Sequence, residues 1–324
     1  MSRPSEFELI ARFFAPLAKA APGAFGLTDD AAILRPSAGE ELVVTADALV
    51  EGVHFLRDDP AETVARKALR VNLSDLAAKG AKPLGYLLVL ALPDWPGTDW
   101  LAAFAKGLAE DQRKYGFVLH GGDTTATPGP LCIAVTAFGT VPAGQMLRRA
   151  GARPGDLAFV SGGIGGGGGG VQILKNNRPG IPPEIADELV RRYRLPEPRL
   201  ALGAKLRGLA SAALDVSDGL IADLGHIAEV SGVHIAVEAA RVPLVAGLKE
   251  LWAGEAVAKA VTAGDDYEIA FTAPASARAQ ILEAARQSAT PVTEIGRVEE
   301  GEGIALMDAS GREIPLPRQG YTHF

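Results

Sequence analysis

Aspartates recur in this chain where apolar stretches end. They are Asp29 and Asp30 in "TDDAAIL", Asp47 in "TADALVEGVHF", Asp75 in "NLSDLAAKGA", Asp123 in "HGGDTT", Asp215 and Asp218 in "LDVSDGL", and Asp265 and Asp266 in "AGDDYEIAF". Taken singly, an Asp beside Gly or Thr is a turn or helix cap. Taken together they raise a charge problem. Most adjoin strongly apolar segments whose burial should hold them near a core, and an unpaired buried carboxylate is expensive. Fixed cations close by in sequence are few, chiefly Lys79 and Arg149. Divalent metal ions are the simplest partners: Mg²⁺ takes carboxylate and water oxygens and shares itself with substrate phosphates. The chemistry open to such a set is metal-bridged handling of a polyanion.

A second stretch raises the question of phosphate binding. "SGGIGGGGGGVQILK", residues 161 to 175, is dominated by glycine. Bare backbone N–H groups ahead of a helix can hold an anion. The well-specified phosphate loop needs Gly-Lys-Ser/Thr, whereas Gly170 is followed by Val171 and Gln172. A dinucleotide fingerprint would place an acid about twenty positions on; Glu184 and Asp187 fall near that window without an evident strand end. The tract therefore reads as a flexible loop. Glycine disfavours helix by roughly 1 kcal/mol per position relative to Ala, so a turn over 165–170 is expected to be frayed or unformed without ligand. Asp at 166 with Ala at 167 and 168 would then firm it.

These residues must be positioned by regular elements. "AAILR" (31–35), "ELVVTAD" (41–47), "GYLLVLAL", "FVLHG" and "LCIAVTAFGTV" read as strands. Apolar positions 64, 65, 68, 69, 73 and 76 give residues 61–79 a helical period, and a second amphipathic helix spans about 100–115. A Pro-Gly-Asp stretch at 154–156 opens a second unit. It holds the strands "LAFVSG", "SAALDVSD" and "DYEIAFTA", helices near 183–193, 199–208, 219–231 and 276–288, and terminal strands near 293–298 and 303–308. Two α+β halves follow, with a boundary near residue 145.

Composition narrows the class. With 48% hydrophobic and 22% charged residues, the 324-residue chain reads as a soluble globular protein. The N-terminus has no signal-peptide core, and no apolar run approaches the ~18–20 residues that span a bilayer. Its one cysteine, Cys132, excludes an internal disulfide and a cysteine-based zinc site; among alternating apolar neighbours it reads as a buried strand residue. The expected compartment is the cytoplasm, with no membrane partner. A net charge of −7, no basic run and 6% aromatic residues argue against nucleic acid.

In order, "TDDAAIL", "TADALVEGVHF", "VNLSDLAAKGAKPLG", "GGDTT", "RRAGARPGD", "LDVSDGL", "GDDYEIAFT" and the terminal "GYTHF" resemble the motifs of the bacterial thiamine-monophosphate kinase family. That family belongs to the superfamily of aminoimidazole ribonucleotide synthetase, selenophosphate synthetase and a hydrogenase maturation protein. The likeness runs from about residue 6 to the end. "VEGVHF", "GGDTT" and the "HF" terminus distinguish the kinase from its relatives.

The resemblance implies ATP-dependent phosphorylation of thiamine monophosphate to thiamine diphosphate, with several Mg²⁺ ions and ATP as co-substrate. It implies an α+β fold of two α/β-type domains, 1–143 and 144–324, with the active site in the cleft between them. The N-terminal halves of a homodimer would build a shared β-barrel, and the C-terminal half would carry a mixed sheet with helices. Carried over by motif, Asp30, Thr45, Asp47, Asp75, Asp123, Asp215 and Asp218 would ligate Mg²⁺, with Asp75 bridging ions and Asp47, Asp75 and Asp123 carrying catalysis. Gly122, Asp123, Arg149 and Ser217 would hold ATP. His54, Asp265 and Tyr321 would line the thiamine phosphate site.

The chemistry suits these residues. The attacking group is a phosphate oxygen, mostly ionised near neutral pH because its second pKa is about 6, so no general base is required. What is required is suppressed repulsion, in-line positioning and charge stabilisation. Two other readings stay open: another ATP-dependent member of the superfamily, and a catalytically silent nucleotide- or thiamine-phosphate-binding protein. The departure at the glycine tract is the support for the silent protein.

Overall fold

The computed structural model describes residues 5–175, 180–316, 318, 320 and 321; the terminal His323 and Phe324 of "GYTHF" lie outside them. The chain is a two-domain mixed α/β fold. Its two compact units are Met1–Leu76 with Lys82–Gly144, and Ala77–Ala81 with Gln145–Phe324.

In the first unit, a short helix α1 (Glu6–Leu9) and further helical turns through Leu27 precede a four-stranded sheet. Strands β1 (Glu40–Val50), β2 (Lys82–Leu92), β3 (Val118–Ala126) and β4 (Cys132–Pro142) lie in the order β1-β4-β2-β3. The β2–β3 pair is parallel, and β4 runs antiparallel to β1 and β2. Among the described residues the sheet is open, with β1 and β3 as edges. Helix α2 (Ala61–Ala78) buries Val64, Ala65, Ala68, Leu69, Leu73 and Leu76, the stripe its period predicts. Helix α3 (Thr98–Tyr115) buries Leu101, Phe104 and Leu108 and stops at left-handed Gly116. Buried Arg70 and Asp111 join the two helices at 2.6 Å.

Two expectations fail in this unit. Residues 31–35 form irregular chain rather than a strand; Ile33 N–H donates to the Gly23 carbonyl, and among the described residues no strand pairs with the segment. Cys132 starts β4 on the face opposite Leu131 and Ile133, so it is half-buried rather than buried.

The second unit carries a six-stranded mixed sheet in the order β10-β7-β9-β5-β8-β6. Its strands are β5 (Asp156–Ser161), β6 (Ala212–Asp215), β7 (His234–Glu238), β8 (Ile269–Pro274), β9 (Val292–Glu299) and β10 (Gly303–Met307). Alternation along β5 feeds two cores. Ala158 and Val160 pack with α7 (Leu220–Ser231), α8 (Leu248–Trp252) and α9 (Ala256–Ala263). Leu157 and Phe159 pack with α6 (Leu200–Leu206) and α10 (Arg278–Gln287). Helices α4 (Gly166–Lys175) and α5 (Pro183–Arg194) join the first core through Ile173 and Leu189. β6 stops at Asp215 and β8 begins only at Ile269, so both are shorter than their apolar composition suggests. Among the described residues no helix is long and apolar enough to cross a membrane.

Candidate functional site

In the first unit the geometry begins with two side chains on one strand face. Thr45 and Asp47 are two apart on β1 and so leave the same side. Opposite them stands Asp75 of α2, whose Oδ2 accepts the Thr45 hydroxyl hydrogen at 2.5 Å. Burial, then the charge of Asp75, pushes Asp47 up to about 7. Two crowded carboxylates, one of them bonded to the Thr45 hydroxyl, suit a hard cation, because a cation removes the repulsion that raises Asp47. Among the described residues, no three His, Cys, Asp or Glu side chains converge as a closed metal site. The fit to a metal therefore rests on this pair.

His54 sits in the turn that follows β1. Its Nδ1 accepts the Val50 N–H at 3.0 Å, so in the neutral ring the proton is on Nε2. Buried Lys67 of α2 donates to the His54 carbonyl at 2.9 Å and holds the turn from behind. Asp29, Asp30, Gly122 and Asp123 line a separate pocket of about 610 Å³, a ligand-sized volume, whose walls include Phe14, Leu87 and Phe138. Gly122 is dictated by packing: φ is 153°, and a Cβ there would lie 1.7 Å from the Leu88 carbonyl oxygen on β2.

The second unit draws a second group together through its backbone. After β6, Ser217 O accepts the Asp265 N–H at 2.7 Å, Tyr267 N–H donates to Val216 O at 2.8 Å, and Tyr321 N–H donates to Asp218 O at 2.9 Å. Ser217, Asp218, Asp265 and Tyr321 are thus neighbours. Asp215 is buried at the end of β6, three residues before Asp218. Asp223, in the first turn of α7, shapes the intervening turn: its Oδ2 accepts the N–H groups of Asp218 and Gly219, both at 3.1 Å. Burial, then the charge of Asp218, pushes Asp223 up to about 7.

The glycine tract overturns its sequence reading. Gly166–Lys175 is an α-helix, with Gly166, Gly167, Gly169 and Gly170 buried. Its glycines are there because neighbours press on every side. A Cβ would come within 2.8 Å of Arg192 at Gly166, 2.3 Å of the Asp265 carbonyl oxygen at Gly167, and 2.4 Å of Ala263 at Gly168. At Gly169 it would meet Leu248 at 2.8 Å, and at Gly170 the Leu189 carbonyl oxygen at 2.3 Å. Side chains at 166–168 would therefore disrupt the turn they were expected to firm. Nor are its N–H groups all open to phosphate, since Asp266 accepts those of Gly165 and Gly167 at 2.8 and 3.2 Å.

The expected burial of the aspartates also needs correction. Asp29, Asp30 and Asp123 are exposed; Asp47, Asp75, Asp218, Asp265 and Asp266 are half-buried; Asp215 is buried. Arg149 is exposed in the segment after Arg148, whose carbonyl accepts the Ala213 N–H at 2.8 Å. Lys79 donates to the Ala213 carbonyl at 3.0 Å. Sequence reasoning missed Lys67 and Asp223. For Asp223 a signal existed: an acid in the first turn after "SDGL", placed to accept the free N–H groups of that turn.

Two family models cover most of the chain: AIR synthase related protein, N-terminal domain, over residues 28–141, and AIR synthase related protein, C-terminal domain, over 153–309. The thiamine-monophosphate kinase of Caulobacter vibrioides is 42% identical over 326 residues, covering 99% of this chain and 91% of that protein. The crystal structure of thiamine-monophosphate kinase from Stenotrophomonas maltophilia K279a superposes with a TM-score of 0.85 at 41% identity, covering 97% of this chain and 99% of its own. AaThiL complexed with AMPPCP and TMP superposes with a TM-score of 0.78 at 32% identity, covering 93% and 97%.

Proposed function

We infer the activity from a plain premise: the chain belongs to the thiamine-monophosphate kinase family. It is an ATP-dependent kinase that phosphorylates thiamine monophosphate to thiamine diphosphate. The observation that carries this is full-length identity of 42% to a kinase of that name, with every aspartate motif in place.

We assign the roles as follows. Thr45, Asp47 and Asp75, with Asp30 and Asp123, hold Mg²⁺ in the first unit, and Asp215 and Asp218 hold it in the second. Magnesium, when bound, offsets the charge of both phosphate chains and of the oxygens between which the phosphoryl group passes. Gly122, Asp123, Arg149 and Ser217 bind ATP; Arg149 suits a forked contact to phosphate. His54, Asp265 and Tyr321 bind thiamine monophosphate. With Nδ1 occupied by the Val50 N–H, His54 offers Nε2–H as a donor to the substrate's phosphate. No residue need take a proton from the acceptor oxygen, which is ionised above its second pKa of about 6.

We also propose a homodimer in which the two first-unit sheets close into one barrel. The support is β1, an eleven-residue edge strand with Leu42 and Val44 exposed, the kind of edge that seeks a partner. A single cysteine fits a cytoplasmic enzyme. The silent-protein reading loses its support, because the tract behind it is an ordered helix.

The test is purified protein with ATP, Mg²⁺ and thiamine monophosphate. Thiamine diphosphate and ADP should appear one for one. ADP without thiamine diphosphate would overturn the substrate assignment.

A further inference from the structure

The loop before β8 is bent in an unusual way. Gly264, Asp265 and Tyr267 have φ values of 74°, 65° and 51°. Two of these are not glycine, and residues with side chains seldom adopt this region unless their surroundings hold them there. One side of the loop is held by backbone bonds, from Asp265 N–H to Ser217 O and from Tyr267 N–H to Val216 O. The other side faces the start of α4.

We propose that Asp266 is a positioning residue for the phosphate acceptor: its carboxylate clamps the first turn of α4 to this loop and so fixes the backbone of Asp265. The inference rests on the reading of Asp265 as a contact to thiamine monophosphate. The clamp has two prongs. One oxygen accepts the Gly165 N–H at 2.8 Å, and the other accepts the Gly167 N–H at 3.2 Å. These belong to the beginning of a helix, where N–H groups have no intrahelical acceptor. An asparagine would keep one prong and turn an N–H₂ donor toward the other N–H, so it breaks half the clamp with little change of volume.

The glycine helix is shaped to this contact. At Gly167 a Cβ would lie 2.3 Å from the Asp265 carbonyl oxygen and 2.8 Å from its Cβ. The helix therefore presses directly on the residue that the clamp positions. Asp265 and Gly167 also line one cavity of about 170 Å³, together with Arg191, Arg192 and Arg199. Just beyond, buried Glu268 is held by Arg199 at 2.7 and 2.5 Å and by the Ser161 hydroxyl at 2.6 Å, so the loop's far end is anchored separately. Release of the clamp loosens the Asp265 end against α4 while the Glu268 end stays anchored. Binding of the acceptor should then weaken more than binding of ATP.

The experiment uses full-length Asp266→Asn and Gly167→Ala at pH 8. Asp266→Asn should raise KM for thiamine monophosphate at least tenfold, leave KM for ATP within twofold, and lower kcat less than threefold. Gly167→Ala, which leaves Asp266 in place, should give the same split. The double variant should be no worse than the worse single, since both act through Asp265. A parallel rise in both KM values, or a wild-type KM for thiamine monophosphate in Asp266→Asn, would overturn the proposal. Hydrogen exchange on the wild-type protein tests the clamp without substrate. The Gly165 and Gly167 amides should be protected as well as that of Gly169, which is bonded to the Gly165 carbonyl. Free-loop exchange at those two positions would sink the clamp. If the wild type makes no thiamine diphosphate, the substrate role falls with that reading, and the exchange data still judge the clamp.

Discussion

Asp47 in the first unit and Asp223 and Asp266 in the second are all pushed up to about 7, and burial is the leading cause for each. What faces them differs. Asp223 and Asp266 each accept two backbone N–H groups, which settle part of their charge and fasten a loop to a helix start. All three feel a neighbouring carboxylate, but at Asp223 and Asp266 those N–H donors oppose it, whereas at Asp47 the charge of Asp75 adds to burial with no donor against it among the described residues. A raised carboxylate with donors around it shapes structure, whereas one facing its own kind awaits a cation. Perturbation alone does not separate ligands from girders; the partners do.

The largest effect that could break this contrast lies in asparagine substitutions. Asp47→Asn and Asp75→Asn should each lower kcat by a factor on the order of 10³, because a metal's charge stabilisation is worth several kcal/mol. The same changes should leave the metal-free melting temperature unchanged or raised, since they relieve repulsion. Asp223→Ala should go the other way, losing about 1–3 kcal/mol of stability, because it removes the oxygen that accepts the Asp218 and Gly219 N–H groups. Calorimetry with and without Mg²⁺ separates the cases. A lower melting point for metal-free Asp47→Asn would end the distinction.

A smaller effect, of opposite sign to simple expectation, belongs to the glycine helix. By propensity, Gly170→Ala should stabilise a helix by ~1 kcal/mol. By packing it should destabilise, because its Cβ would lie 2.3 Å from the Leu189 carbonyl oxygen and 2.7 Å from the Tyr193 Cβ, and overpacking costs about 1–3 kcal/mol. We expect a net loss in urea denaturation. Gly97→Ala, with nothing within 4 Å, should stay within about 0.5 kcal/mol of wild type. A stabilised Gly170→Ala would mean that α4 is looser than its contacts require.

That helix marks the boundary of what was legible in the sequence. Periodicity placed α2 and α3, and β-rich composition between turn signals placed β1, β2 and β4, because each of these patterns is local. Both groupings around the aspartates were signalled only as motifs, and their bonds join residues far apart in the chain: Thr45 to Asp75, Ser217 to Asp265, Gly165 to Asp266. The glycine run reads as a loop from propensity because nothing local reveals α5, α8, α9 and the Asp265 carbonyl closing on it. Residues 31–35 fail in the opposite direction. They have strand composition, and a strand needs a partner. The short strand β7 and the helices α8 and α9 went unforeseen between clearer patterns.

The smallest effect sharpens the comparison from within the second unit. Burial raises Asp266 to about 7, with the charges of Glu268 and Asp265 adding to it, against the opposing pull of the Gly165 and Gly167 N–H groups. An unfolded aspartate titrates near 3.8. Between those values the folded protein keeps a proton that the unfolded chain has lost, so this group's contribution to stability falls as pH rises from about 4 to about 7. Below that window both states are protonated, and above it both are ionised, so the contribution is flat at either end. Asparagine is neutral throughout and lacks the slope. The stability of wild type minus that of Asp266→Asn, from urea titrations at pH 4.5, 5.5, 6.5 and 7.5, should therefore decline by at most ~1.4 kcal/mol per pH unit. It should level off above pH 7. A flat difference across the range would mean that the two N–H groups outweigh burial and hold Asp266 ionised. Asp266 would then be the more fully settled of the paired cases, and the distance between it and Asp47 would widen.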